Sequence, residues 1–314
     1  MSPQAPPVAT ARALAERIAG EVGLVILGKP DEIRLAVSCL LAAGHLLIED
    51  VPGVGKTLLA RSLATVLGLD FRRIQFTSDM LPADITGAQI FERRSERLVF
   101  QPGPVFAQLV LADEINRAPP KVQSALLEAM EERQVSIDGE SHALPSPFFV
   151  IATQNPLHQA GTFPLPESQL DRFLMRIGLG YPPAALERKL LRGDDRRELL
   201  ATLRPLVDPG SLAGLQTAAR AVRLGDAALD YVQALVRYTR ESPEIELGLS
   251  PRAATDLVAA ARAWALMNGH EGVYPEDVQA VFTAVAGHRL HGRDAGLPGA
   301  VEPARKVLDE VAIP

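Results

Sequence analysis

A chain of 314 residues, 47% apolar and 22% charged, has the composition of a soluble globular protein and the length for two domains. Its net charge of −6 gives no basic footprint, which counts against a protein built to grip nucleic acid. The single cysteine, Cys39, excludes an internal disulfide framework and a cysteine-based metal cluster.

No secretory apolar region follows Met1, and the uncharged apolar run Leu35 to Ile48 is too short to span a bilayer. A cytoplasmic protein is expected. Helical spacing over Ala9 to Gly20 breaks at Val25-Ile26-Leu27-Gly28, and Asp31 is placed to cap a second helix running to about Ala43. Leu46–Glu49 reads as a buried strand and Lys56–Leu67 as the helix after it.

Between them lies Asp50-Val51-Pro52-Gly53-Val54-Gly55-Lys56-Thr57-Leu58, the strand–loop–helix setting of a phosphate-binding loop. Such a loop turns its backbone N–H groups toward phosphate, and glycine is needed where a Cβ would block the approach. Lys56 is predicted to reach the β- and γ-oxygens of ATP, and Thr57 to ligate Mg²⁺. The full pattern has a glycine where this chain has Asp50, so the match is to the back half of the motif.

Phe71–Phe76 alternates as a half-covered strand does. Two apolar runs, Ala88–Phe91 and Leu98–Phe100, flank a charged turn and predict a β-hairpin, after which Gly103-Pro104 is expected to start a short helix. Leu109–Ala112 is an apolar strand ending in Asp113-Glu114. Asp113 suits the Mg²⁺ shell, directly or through water, and Glu114 suits a general base acting on an attacking water. Lys121–Glu132 is helical, with Val122, Leu126 and Met130 on one face. Val135–Ile137 and His142–Leu144 frame Asp138-Gly139, a hairpin-turn dipeptide. Phe148–Ala152 is a further strand, leading to Thr153-Gln154-Asn155-Pro156. Asn155 is placed to position the same water, with a turn-forming Asn before proline as the alternative. Phe173–Leu179 is the expected last strand.

Strands alternating with helices predict an α/β fold, a doubly wound parallel sheet with its ligand at the strands' C-terminal ends. Tyr181-Pro182-Pro183 marks a boundary between a nucleotide-binding core, 1–182, and an all-helical part, 183–314. In the latter the helices are expected at about Ala184–Leu200, Pro209–Arg223, Asp226–Arg240, Pro251–Met267 and Pro275–Leu290. The histidines, His45, His142, His158, His270, His288 and His291, show no pairing at metal-ligand spacing, and Trp264 lies in an apolar helical stripe.

Taken together, Val54-Gly55-Lys56-Thr57, Leu111 to Arg117, Ala152 to Pro156, Gln169-Leu170-Asp171-Arg172-Phe173 and Leu249-Ser250-Pro251-Arg252-Ala253 resemble a MoxR-type AAA+ ATPase. The likeness spans Val25 to Leu290 and places the chain in the helix-2-insert branch, related to the magnesium chelatase ATPase subunit. Asp50 in place of the first glycine is common in that group. The resemblance implies an AAA+ P-loop core with two inserted hairpins, at about 86–102 and 135–147, and a smaller helical lid. It also implies a homo-oligomeric ring, usually a hexamer, with ATP and Mg²⁺ held between subunits. Arg172 would then be the arginine finger, the alternative being an arginine that pairs with Asp171. Arg252 would be the sensor 2 residue. Val25, Ile26 and Gly28 would line the adenine pocket, which ordinary core packing explains equally well. Arg117 and Arg133 are interface candidates or plain solvated arginines.

The function implied is a chaperone-like remodelling ATPase acting on a client protein with a von Willebrand factor A-domain partner. A magnesium-chelatase-like metal-insertion motor shares every motif, but the chain has no integrin-like I domain. A slow nucleotide-dependent switch is a further alternative. A DNA motor would want a basic second hairpin, whereas Asp138-Gly139-Glu140-Ser141-His142 is acidic. A small-molecule kinase would leave that hairpin and Arg172 unexplained. Phe91 and Phe106 are candidates for a pore-facing handle, with core packing as the alternative.

Overall fold

The computed structural model describes residues 5–94, 96–155, 162–192, 196–293 and 302–313; Pro156 and His158 lie outside them. Two helices open the chain, α1 (Val8–Val25) and α2 (Pro30–Leu41). Helix α1 runs past the expected Gly20 as far as the break at Val25-Ile26, because Ala11, Ala15, Ile18, Val22 and Val25 form one buried stripe. Helix α2 is started by Pro30, whose fixed φ suits the first helical position, and Asp31 sits in the first turn rather than capping it.

The order continues β1 (Leu46–Glu49), α3 (Lys56–Val66), β2 (Phe71–Gln75), α4 (Ala83–Thr86), β3 (Gly87–Glu92), β4 (Arg97–Pro102), β5 (Leu109–Asp113), α5 (Pro120–Glu132), β6 (Gln134–Ile137), β7 (Glu140–Ala143), β8 (Phe149–Gln154), α6 (Glu167–Leu170) and β9 (Met175–Ile177). Five strands form one parallel sheet in the order β2-β5-β8-β1-β9. A parallel sheet is covered on both faces, which is why β5 and β8 are buried throughout their length. Side chains alternate across it. Leu46, Ile48, Leu109, Leu111, Phe149 and Ile151 join one core; Leu47, Val110, Ala112, Val150 and Ala152 join the other.

Both hairpins form. At the first, the entering and leaving chains touch: a Cβ on Gly87 would lie 2.2 Å from the Gln101 carbonyl oxygen, and one on Gly103 would lie 2.2 Å from that of Ile85. That crossing holds Gly103-Pro104 in a turn, so the helix expected there is absent and the short helix α4 precedes the hairpin instead. The second hairpin turns at Asp138 and Gly139, both with positive φ, as a two-residue type I′ turn requires. Phe100 of the first stacks on His142 of the second, with ring centroids 3.9 Å apart.

Beyond β9 come α7 (Ala184–Leu191), α8 (Arg196–Thr202), α9 (Pro209–Ala221), α10 (Asp226–Glu241), β10 (Ile245–Leu247), α11 (Pro251–Asn268), α12 (Pro275–Ala286), β11 (His291–Gly292) and α13 (Pro303–Glu310). The single helix expected over Ala184–Leu200 is thus two. The region is also not purely helical, since β10 and β11 pair as an antiparallel ribbon too short to leave a period-2 signal. Helices α9, α11 and α12 share a continuous core with α1, α2 and one face of the sheet.

Candidate active site

Strand β1 delivers the phosphate-loop segment. Asp50, standing where the first glycine would be, uses its carboxylate as a fastener: Oδ1 accepts from the Val51 N–H at 2.7 Å and Oδ2 from the Gly180 N–H at 2.5 Å. Gly53 and Gly55 hold φ of 89° and 103°, and nothing lies within 4 Å of a Cβ built on either. Glycine is therefore needed there for its backbone, and the space beside the loop is open. Helix α3 begins at Lys56 with no side-chain cap, which leaves the N–H groups of its first turn, and the helix's positive end, available to an anion. The Thr57 hydroxyl in that turn makes no hydrogen bond to a described residue. Val51 and Val54 are half-buried, Pro52 is exposed, and Val54 and Leu58 pack against the core.

Lys56 is buried, and its Nζ donates to the Asp50 carbonyl at 2.5 Å and to Asn155 Oδ1 at 3.0 Å. Burial pulls its pKa below the usual lysine value, against the opposing fields of Asp50, Asp113, Glu114 and Glu49. Asn155 faces both ways, its Nδ2 donating to Glu114 Oε1 at 3.2 Å. Its side chain is thus spent between a cation and a carboxylate rather than on its own turn, which also assigns the amide orientation.

The two acids at the end of β5 are fixed by a residue the sequence reading passed over. Thr153 donates to Asp113 Oδ1 at 2.6 Å and accepts from the Glu114 N–H at 2.9 Å. Glu114 holds φ 58° and ψ 48°, a left-handed conformation that costs a non-glycine residue on the order of 1 kcal/mol. Its Oε2 accepts from Gln75 Nε2 at 3.0 Å and pairs with Arg117 Nε at 3.2 Å. Arg73 closes the set, donating to Asp113 Oδ2 from Nε at 3.0 Å and Nη2 at 2.6 Å. Arg73 and Gln75 lie on the exposed positions of β2, and Gln75 pairs with Asp113 in the ladder. Their strand alternation was legible; their partners, forty residues away, were not.

Gly28 also has positive φ, and a Cβ there would meet Leu186 Cδ1 at 2.6 Å and Pro183 Cδ at 2.9 Å, so this corner abuts the chain leaving β9. Ile26 and Gly28 border a cavity of about 290 Å³ together with Gly23, Pro30 and Ile33, whereas Val25 is core.

Arg172 and Arg252 stand elsewhere. Leu174 N–H donates to the His45 carbonyl and Met175 pairs with Leu46, so Arg172 lies where the strands begin. Lys56 lies where they end, a strand's length of roughly 13 Å away along β1. Arg172 donates to the Leu127 carbonyl at 2.5 Å and pairs with Glu131 at 2.8 Å; Arg252 pairs with the same Glu131 at 3.2 Å. Asp171 is not the partner of Arg172: it binds Arg289 at 2.7 Å. Of the lesser candidates, Arg117 belongs to the Glu114 cluster, Arg133 is the exposed left-handed cap of α5, and Phe106 packs against the core beside Phe100. Phe91 and its cross-strand neighbour Leu98 are 61% and 65% exposed.

No cluster of three or more acidic, His or Cys side chains able to hold a metal occurs among the described residues. The Thr57 hydroxyl and the Asp113 carboxylate are the hard oxygen donors expected when phosphate and water complete a magnesium shell. No helix among the described residues is long and apolar enough to cross a membrane.

Residues 45–175 match the model of the ATPase family associated with various cellular activities (AAA), and residues 237–311 match that of the AAA lid domain. The uncharacterised YeaC protein of Bacillus subtilis (strain 168) is 45% identical over 269 residues, covering 86% of this chain and 84% of that protein. Chaperone MoxR1 of Mycobacterium tuberculosis is 42% identical over 316 residues, covering 95% of this chain and 82% of its own. A crystal structure of a candidate ATPase from Cytophaga hutchinsonii superposes with a TM-score of 0.88 at 35% identity, covering 98% of this chain and 97% of that one. With an AAA sheet, a helical lid and relatives matched over most of their length, the chain belongs to the MoxR family of AAA+ ATPases.

Proposed function

We propose that this chain hydrolyses ATP at the interfaces of a ring of identical copies, each copy giving a phosphate loop to one site and two arginines to the next. The nucleotide core would be residues 1–182 and the lid residues 183–314. One observation carries the reading: Asn155 joins Lys56 to Glu114 at one end of the sheet, while Arg172 and Arg252 share Glu131 at the other. Within one chain the two sets stand at opposite ends of the sheet, whereas a head-to-tail ring would join them at every interface.

In this reading the loop from Val51 to Leu58 and the free first turn of α3 bind the phosphates, and Ile26 and Gly28 with neighbouring Val25 border the base. Thr57 and Asp113 would hold Mg²⁺, which supplies charge neutralisation at the phosphate oxygens. Lys56 gives up its hold on the Asp50 carbonyl to meet the β- and γ-oxygens. Glu114, braced by Asn155 and by its own strained backbone, orients the attacking water and takes its proton. Arg172 of the adjacent copy stabilises the charge that develops on the transferred phosphoryl group, and Arg252 reports the lid's position to that site.

Similarity to a chaperone supports a remodelling or activation role on a client protein. A von Willebrand factor A-domain partner belongs to the proposal on family resemblance alone. The exposed apolar pairs of the first hairpin, Phe91 with Leu98 and Ile90 with Val99, support contact with another protein surface. The acidic tip of the second hairpin argues against DNA.

The test is Glu114→Gln, which preserves shape but cannot accept a proton. It should retain bound ATP while phosphate release falls on the order of 10²- to 10⁴-fold. Undiminished release would remove Glu114 as the base.

A further inference from the structure

Arg289, just past the end of α12, is the most deeply buried of the paired arginines, with its side chain 4% exposed. Its Nε donates to Asp171 Oδ1 at 2.7 Å, and Nη2 donates to Asp256 Oδ2 at 2.6 Å. The same guanidinium donates to the carbonyls of Asp171 at 3.0 Å, Phe173 at 2.9 Å, Leu174 at 3.3 Å and Val285 at 2.9 Å. Ser250, the cap of α11, donates to the other oxygen of Asp171 at 3.2 Å.

The addresses of these partners matter. Asp171 immediately precedes Arg172, and Asp256 lies one helical turn beyond Arg252. A buried arginine whose planar fork is saturated on three chain segments fixes their relative geometry, because moving any of them strands a charge away from water. Glu131, which neutralises both outer arginines, is by contrast solvent-exposed and free to exchange.

We infer that Arg289 is a positioning residue that locks the Arg172 segment to the Arg252 helix, so that both arginines approach the neighbouring copy's phosphate as one body. The inference rests on the proposed action of those arginines across the interface. The turn between α6 and β9 contributes one arginine and helix α11 the other, so movement of that helix and placement of both arginines become a single motion.

The test uses Arg289→Gln and, as a milder change that keeps shape and a hydrogen bond, Asp256→Asn. Each is assayed alone and mixed with Glu114→Gln copies, with Arg172→Ala as the reference. Alone, each variant should bind a fluorescent ATP analogue with wild-type affinity and lose turnover on the order of 10- to 100-fold. Mixing should restore turnover, because intact arginines then come from the Glu114→Gln copies while the variants keep a sound phosphate loop. Wild-type turnover in both variants would overturn the inference. So would a loss that mixing fails to repair while the Arg172→Ala reference is repaired, which marks a general structural role. Failure of the reference itself would instead refute the action across the interface, and the inference with it. Should Arg289→Gln not fold, Asp256→Asn decides the matter alone.

Discussion

At the C-terminal end of the sheet, Lys56, Asp113, Glu114 and Asn155 are held by one another and by Thr153. At the opposite end, Arg172 and Arg252 are held by the exposed Glu131, and Arg289 pairs with Asp171 next to Arg172. The first end is self-supporting: each polar group finds its partners in the phosphate loop or on the adjacent strands β2, β5 and β8. The second presents cations whose acidic partner is accessible to water and exchangeable. In the proposed ring, the pre-organised pocket and the releasable pair of cations would be the two halves of an interfacial site.

The largest effect is expected where the halves would meet. Arg172→Ala should lower turnover on the order of 10³- to 10⁵-fold and leave nucleotide affinity unchanged, because the residue belongs to the other end of its own sheet. A matching loss of affinity would mean that the ends communicate within one chain.

The end where the strands begin can also be probed by pH. His45, at the start of β1, is buried, accepts from the Val150 N–H through Nδ1 and donates to the Met130 carbonyl through Nε2. Burial lowers its pKa from 6.5 to about 4. Between those values the unfolded chain takes up a proton that the folded chain refuses, so stability falls as pH drops through that window. The loss from His45 should reach about 2 kcal/mol by pH 5. NMR titration of the imidazole checks this, and a midpoint near 6.5 would contradict the burial. His288 is shifted in the same direction by burial and by Arg289 beside it.

Thr153→Val sharpens the contrast further. It removes a donor to Asp113 and an acceptor for the Glu114 N–H, and should cost roughly 1–3 kcal/mol of stability measured by urea unfolding. The phosphate-loop half should weaken while the variant still serves as an arginine donor in mixed assemblies. Phe91→Ser, exposed on the first hairpin, should change stability by no more than about 0.5 kcal/mol, so any loss of the proposed client remodelling in it reports a contact rather than a fold defect.

The phosphate-loop end was legible in the sequence because its parts are short runs at strand ends: Gly53 to Thr57, Asp113-Glu114 and Asn155 each follow an apolar strand. Their polar surroundings were less legible. Thr153 looked like the tail of a strand and Arg73 like a solvent-facing strand residue, since their roles depend on which strands become neighbours in the β2-β5-β8 order. Arg289 carried no signal of its role: the expected helix Pro275–Leu290 ran through it, whereas α12 ends at Ala286, and its partner Asp171 lies 118 positions away. The β10–β11 ribbon was missed for a related reason: strands of three and two residues have no measurable period. Local pattern predicts elements well, and long-range charge pairing poorly.

The most direct measurement is turnover per chain across a dilution series, with mass followed by light scattering in ATP and Mg²⁺. Turnover should fall in step with the scattered mass and vanish as it reaches the 33.7 kDa of a single chain. A 33.7 kDa species that hydrolyses ATP at the undiluted rate would contradict the account, since its arginines would then be dispensable or reach their own phosphate loop.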